Sequence, residues 1–254
     1  MYPLVDLTDR KIIVAGASQG IGRAAAVLLS RLGAKLILLA RNEDNLRETL
    51  SMLDGEGHRY YCADLSRVDE IEALTSGIIS DTGPSDGLVY CTGISPDRPL
   101  NMLKPENLQE VFAVNYFGFI ELVRQLTQKG RFNSGMRIVA VSSIASLCGN
   151  SAQTSYCGSK AAIDGSVRCM AEELSGKGIC VNTVAPAMIR TQMFEDYMKH
   201  YGEDSESYKA LLRRQYLGIG EVQDVANAIA FLMSPAARFI TGVCLPVDGG
   251  YTCM

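Results

Sequence analysis

Lys11-Ile12-Ile13-Val14-Ala15-Gly16-Ala17-Ser18-Gln19-Gly20-Ile21-Gly22 is an apolar run that dissolves into glycines and reopens as a helical pattern over 21–32, stopped by Gly33. A strand apolar at nearly every position is buried on both faces, as in a parallel sheet covered by helices. Glycines in the turn that follows let the backbone fold sharply and approach a ligand closely. The helix behind them offers free N–H groups and the positive end of its dipole to a pyrophosphate. In a chain with 24 glycines the spacing alone carries little weight. Its place between a buried strand and a helix is what makes Gly16, Ser18, Gln19, Gly20, Ile21 and Gly22 a candidate cofactor cradle.

Outward from that turn, short β-branched runs alternate with helical patterns along the whole chain. Strands are predicted at 11–15, 35–40, 59–63, 87–91, 137–142, 180–185 and 243–247. Helices are predicted at 43–53, 68–80, 106–129, 154–175 and 221–233. Crossovers of this length join parallel strands and place helices on both sheet faces. With no linker and no internal repeat, residues 1–254 read as a single-domain α/β Rossmann fold, a doubly wound parallel sheet of about seven strands. One segment departs from the alternation: 192–217 is polar, and helical in two pieces around Tyr201-Gly202. It follows a strand end where such sheets bind ligands, so it reads as a substrate lid.

Composition excludes several functions. The chain has 254 residues, with 24 Lys+Arg against 28 Asp+Glu, and a formal charge of −4. That balance argues against a nucleic-acid partner, which needs a basic surface. No apolar run is long enough to span a bilayer, and Met1-Tyr2-Pro3-Leu4 does not open a signal peptide. The eight cysteines contain no CxxC pair and sit largely in apolar runs such as those of Cys91, Cys180 and Cys244. They read as reduced structural thiols, so a cytoplasmic location is expected, without a membrane and without a metal. Two histidines, His58 and His200, leave proton transfer to another residue type.

At the end of the second strand, a unit that binds NAD usually carries an acid about 20 residues past the glycines, to hold the ribose hydroxyls. This chain has Ala40-Arg41-Asn42 there. A carboxylate repels a 2′-phosphate; a guanidinium attracts it and bonds it through two N–H groups. Arg41 therefore points to NADP(H), with the Ser18 hydroxyl as a second contact. Asp64-Leu65, closing the third strand, lies near the adenine in this reading.

Proton chemistry has a candidate in Tyr156-Cys157-Gly158-Ser159-Lys160. A four-residue spacing puts phenol and ammonium on one helix face. A nearby cation favours the phenolate, which makes a tyrosine usable as general acid or base. Ser142-Ser143 end a strong strand, placing a hydroxyl at the carboxyl edge of the sheet. Asn115 stands inside an otherwise apolar helix, where a buried amide needs a partner.

Together these residues make the chain resemble the short-chain dehydrogenase/reductase family from about Asp6 to Tyr251. The glycine turn, Asp64, Asn115, Ser143, Tyr156/Lys160, Pro186 to Thr191 and Asp248-Gly249-Gly250 fall in that family's order. Ser143 stands 13 and Asn115 stands 41 residues before Tyr156, separations similar to those of family members. The resemblance implies that Tyr156 exchanges a proton with the substrate oxygen, steadied by Ser143, which the spacing favours over Ser142. It implies that Lys160 binds the nicotinamide ribose and lowers the tyrosine pKa, while Asn115 holds a water that supplies protons. Gly93, Pro186, Ile189 and Thr191 are implied to complete the cofactor site. There are departures: Tyr90-Cys91-Thr92-Gly93 replaces Asn-Asn-Ala-Gly, Gln19 stands where many NADP-dependent members have a basic residue, and Ala187 replaces glycine.

The resemblance further implies a ketone/secondary-alcohol oxidoreductase using NADP(H), and a homotetramer. Among substrates, a 3-oxoacyl thioester on acyl-carrier protein or coenzyme A comes first, with Lys129, Arg131, Arg137 and Lys177 as a basic rim for an acidic carrier. A sugar, polyol or hydroxysteroid is the alternative small-molecule substrate. A non-catalytic NADPH-binding sensor or structural subunit is the alternative of a different class. Phe194, Tyr197, Met198 and Tyr208 of the lid are expected to meet substrate.

Overall fold

In a computed structural model that describes residues 5–253, β1 (Lys11–Ala15) lies at the centre of a sheet. It pairs with β2 (Lys35–Ala40) on one side and β4 (Ser85–Tyr90) on the other. With β3 (Arg59–Cys62), β5 (Phe132–Val141), β6 (Cys180–Pro186) and β7 (Cys244–Val247) the order is β3-β2-β1-β4-β5-β6-β7. Every neighbouring pair is parallel. Residues 1–4, whose sequence was read above for a leader, and residue 254 lie outside the described residues. The chain winds outward from β1 to β3 and then crosses back to β4. This reversal opens a crevice at the carboxyl ends of β1 and β4, where such sheets bind ligands.

Both faces of the sheet are packed, as its uninterrupted apolar strands require. Ile12 and Val14 point into one layer with α1 (Gly20–Arg31), α2 (Glu43–Ser51) and α9 (Val222–Met233). Ile13 and Ala15 point into the other with α3 (Ile71–Thr82), α5 (Gly118–Leu126) and α6 (Thr154–Ser175). Leu36, Leu38 and Leu39 have no exposed surface, and each such side chain contributes about 1.5–3 kcal/mol by leaving water. No helix among the described residues is long and apolar enough to cross a membrane.

Three local differences from the sequence reading have physical causes. The helix expected over 106–129 is α4 (Pro105–Phe112), a widened π turn (Ala113–Phe117) and α5. The Tyr90 hydroxyl donates to the Val114 carbonyl at 2.6 Å, and the Asn115 side chain bonds a neighbouring loop. Side-chain competition of this kind opens the regular ladder. β5 begins at Phe132 because Ser85 pairs with it ahead of an irregularity between Ser85 and Gly87. It ends at Val141, so Ser142 and Ser143 stand just past the strand. The segment after β6 forms α7 (Gln192–Tyr201) and α8 (Glu206–Arg214), two helices broken at Gly202 as expected.

Candidate active site

The crevice is a cavity of about 480 Å³ running from the first glycine turn, past the ends of β4 and β5, to α7. At its near end Gly16 has φ +80, and a Cβ there would stand 2.8 Å from the Thr92 nitrogen. A Cβ on Gly22 would collide with the Gly16 carbonyl. Only glycines allow the turn to lie this close to the chain after β4. Thr49 Oγ1 donates to the Ala17 carbonyl at 3.0 Å and Arg23 donates to the Ser18 carbonyl at 2.6 Å, so the turn is braced from α1 and α2. Gln19, at the start of α1, makes no side-chain cap and the first helical turn holds no acid. The N–H groups there remain available to an anion.

Gly16, Ser18, Gln19, Gly20, Ile21 and Gly22 line this end, with Arg41, Asp64 and Leu65 beside them. Arg41 is exposed at the end of β2. Next to it, Asn42 caps α2 by accepting from the Asn45 nitrogen at 2.9 Å, and both asparagines also border the cavity. Partial burial would raise the Asp64 carboxyl, but two hydrogen bonds from Ser66 and the charges of Arg41 and Arg67 hold it below the usual value. A phosphate would find one guanidinium, two amides, the Ser18 hydroxyl and free backbone N–H groups. A nicotinamide dinucleotide fits this donor set.

At the far end Ser143, Tyr156 and Lys160 converge on the same cavity. Ser143 accepts from the Ala145 nitrogen at 3.1 Å, which turns its hydroxyl towards the opening. Ser142 points the other way, donating to Asp164 at 3.0 Å inside the fold. Burial pushes the Tyr156 phenol up, while a hydrogen bond with Ser143 pulls it down. Lys160 Nζ lies 5.7 Å from the Tyr156 ring centre and donates to the Val141 carbonyl at 2.7 Å. Burial draws this ammonium down to about 8, with the electrostatic influence of Cys91 and Asp164 opposing. A lysine in this range can give up or take a proton near neutral pH. The Tyr156 phenol stands above rather than below its ordinary value.

Asn115 does not line the cavity. Its Nδ2 donates to the Ile94 carbonyl at 3.0 Å and to Ser159 Oγ at 2.9 Å, and its Oδ1 accepts from the Ile94 nitrogen at 2.8 Å. Ser159 in turn donates to the Tyr156 carbonyl. The amide thus clamps the loop containing Gly93 and Ile94, both on the cavity wall, to the helix carrying Tyr156.

Pro186 at the end of β6 and Ile189 and Thr191 beyond it border the cavity, and Thr191 caps α7 by accepting from the Phe194 nitrogen. Of the lid residues expected to meet substrate, Phe194 reaches the wall, whereas Tyr197, Met198 and Tyr208 do not line it. Helical spacing turns one face of α7 inward, and Tyr197 stacks on Tyr201 instead. The expected basic rim loses one member to the interior. Arg137 is buried against Cys180, Arg131 is bonded to Thr75, Ser76 and Gln125, and Lys177 donates to the Thr127 carbonyl. Arg137 is thereby withdrawn from the surface, while Arg131 stays half-buried and Lys129 and Lys177 remain exposed.

Sequence reasoning missed Thr92, Ile94, Met188 and Met193 on the wall, and Gln215 behind it. Gln215 Nε2 donates to the Met188 carbonyl at 2.9 Å and its Oε1 accepts from the Met188 nitrogen at 3.1 Å, fastening the end of α8 to the loop after β6. Only the position of Met188 and Met193 next to Pro186 and Thr191 signalled their part.

A family profile described as enoyl-(acyl carrier protein) reductase matches residues 16–252. The chain is 36% identical to an L-xylulose reductase of Caenorhabditis elegans, covering 97% of each chain. It is 34% identical to a 3-oxoacyl-[acyl-carrier-protein] reductase of Rickettsia felis, over 97% of this chain and 98% of that one. A crystal structure of a putative short-chain alcohol dehydrogenase from Sinorhizobium meliloti superposes with a TM-score of 0.90 at 30% identity, covering 99% of both chains.

Proposed function

The chain belongs to the short-chain dehydrogenase/reductase family, and on that premise we propose that it interconverts a ketone and a secondary alcohol with NADP(H). The observation that carries this reading is the convergence of Ser143, Tyr156 and Lys160 on one end of a cavity whose other end holds the glycine turn and Arg41. NADPH, when bound, supplies the hydride to the carbonyl carbon. Tyr156 gives its phenolic proton to the carbonyl oxygen, and Ser143 donates a hydrogen bond to that oxygen as charge builds on it. Lys160, with a pKa drawn to about 8, restores the tyrosine proton at neutral pH. Gly16 to Gly22 hold the pyrophosphate, Arg41 and Ser18 the 2′-phosphate, Asp64 and Leu65 the adenine edge. Gly93, Pro186, Ile189 and Thr191 flank the nicotinamide end, and 192–217 serves as lid.

For the substrate, Met188, Met193 and Phe194 on the wall favour an apolar chain, as in a 3-oxoacyl thioester. A second reading, a sugar or polyol ketone, is favoured by the burial of Arg137 against Cys180, which removes one cation from the rim an acidic carrier would need. Purified protein mixed with NADPH and a panel of an acetoacetyl thioester, a ketopentose, small diketones and a steroid ketone tests both. Turnover of the thioester above the others supports the first reading, and turnover of the ketopentose the second. Tyr156→Phe should lower kcat by about 10²–10⁴-fold on the active substrate while NADPH still binds. A fully active Tyr156→Phe variant would overturn the chemistry.

A further inference from the structure

Asp164 lies one helical turn beyond Lys160 on α6 and is buried, 6% exposed. No lysine or arginine pairs with it within salt-bridge distance among the described residues. Its oxygens take neutral donors instead. Thr183 of β6 donates to Oδ1 at 2.7 Å, Ser142 at the end of β5 donates to Oδ2 at 3.0 Å, and the Cys244 thiol of β7 approaches Oδ2 at 3.5 Å. Burial holds that thiol protonated, pushed up to about 11. Three adjacent strands therefore meet the catalytic helix at one carboxylate. A buried acid without a bonded cation is a poor way to gain stability, because an apolar side chain of similar size packs there without losing hydration. What an apolar residue does not supply is charge. Side chains four apart on a helix face each other across about 5–6 Å, and the neighbour one turn back is Lys160.

We propose that Asp164 is a positioning residue for the reaction, a buried carboxylate that fastens α6 to β5, β6 and β7 and provides the counter-charge for the Lys160 ammonium. Ser142 joins the two functions: its hydroxyl also lies 3.4 Å from the Lys160 carbonyl, and its neighbour Ser143 faces the cavity. The groups around Lys160 are few. Cys91 after β4 faces it with a thiol that burial keeps neutral, up to about 12, Val141 of β5 gives a carbonyl, and Tyr156 and Asp164 share its helix. Around Asp164 stand Ser142, Thr183 and Cys244, with Arg168 of α6 on the Cys244 side. Asp164 is thus the buried acid in the set, and its removal leaves the ammonium less favoured.

The test reads Lys160 directly, by NMR of protein labelled with ¹³C-lysine and with the resonance assigned by its loss in Lys160→Met. Wild-type Lys160 should titrate near 8. In Asp164→Asn the midpoint should fall by about one to two units, the size expected for a charge about 6 Å away in a medium of effective dielectric near 20–40. Thr183→Val, which removes the shortest bond but keeps the carboxylate, should lower the melting temperature and leave the midpoint within a few tenths of a unit. An unmoved midpoint in Asp164→Asn, or an equal fall in Thr183→Val, overturns the proposal. Should Asp164→Asn fail to fold, Asp164→Ser makes the same charge change with room for a water. The high-pH limb of kcat should shift with the midpoint. This last arm rests on the proposed ketone reduction, whereas the titration does not, so a protein that turns over no ketone refutes the function and leaves the titration to decide the inference.

Discussion

Replacing Asn115 by leucine keeps the number and branching of the side-chain heavy atoms and removes its polar atoms from a site with no exposed surface. Three partners are affected: the Ile94 N–H at 2.8 Å, the Ile94 carbonyl at 3.0 Å and Ser159 Oγ at 2.9 Å. Ser159 keeps its bond to the Tyr156 carbonyl, so the loss falls on the two backbone groups of Ile94. Each buried group left without a partner costs about 1–3 kcal/mol, which predicts a total of about 2–6 kcal/mol, a large part of a typical domain's stability. Alanine should be milder. The space freed by the missing amide is close to that of a water, and a water there can bond both Ile94 groups. The usual order for a buried site, in which the smaller residue destabilises more, is therefore reversed. Urea denaturation of Asn115→Leu and Asn115→Ala, with m-values checked, measures this. Because Ile94 forms part of the cavity wall, kcat/KM should fall in the leucine variant by about 10–100-fold. A leucine variant within 1 kcal/mol of wild type, or an alanine variant less stable than the leucine one, would refute the clamp.

Arg41→Ala should weaken NADPH binding by about tenfold, the lower end for a charged hydrogen bond because the residue is exposed, and change NADH binding by less than twofold. Calorimetric titration with each nucleotide checks it, and an equal loss for both would remove Arg41 from phosphate recognition. Burial draws Lys160 down to about 8 in the folded protein, below the ordinary lysine value, so between pH 8 and about 10.4 the unfolded chain should bind more protons than the folded one. The resulting penalty is complete below pH 8 and fades as pH rises through that window. Lys160→Met should therefore abolish turnover yet stabilise the protein at pH 7 by up to about 3 kcal/mol, with little gain at pH 10.5. Equal changes at the two pH values would mean that the ammonium is not held against its own solvation.

Much of the fold was legible because the strands are buried on both faces and carry no ambiguity of period: 11–15 and 35–40 coincide with β1 and β2 to the residue. The glycine turn, Arg41, Ser143, Tyr156 and Lys160 were readable because each needs a special residue type at a strand end or helix start, and all line the cavity. What escaped reading depends on side-chain direction. Nothing in Val114-Asn115-Tyr116 announces a π turn, since it arises where Tyr90 and Ile94 compete for groups of that helix. Gln215 and Asp164 escaped because their partners lie on other elements, 27 residues away for Met188 and 22 for Ser142. Arg137 was misread as part of a rim because a charge in sequence does not declare whether it faces water or the interior.

The widened turn at Ala113–Phe117 also fixes the rotational phase between two helices. Residues before and after it share a chain direction, but the extra residue in the turn offsets their faces by about 100°, the step of one helical position. Val111 upstream and Phe119, Leu122, Val123 and Leu126 downstream are all buried with that offset in place. Deleting one residue within 113–117 would not simply shorten the helix. It would counter-rotate α4 against α5 and bring a different set of side chains inward, with Asn115 turned off Ile94. Insertions and deletions of a single residue should thus be far less tolerated here than in the turn at Gly202, where a change of length rotates nothing.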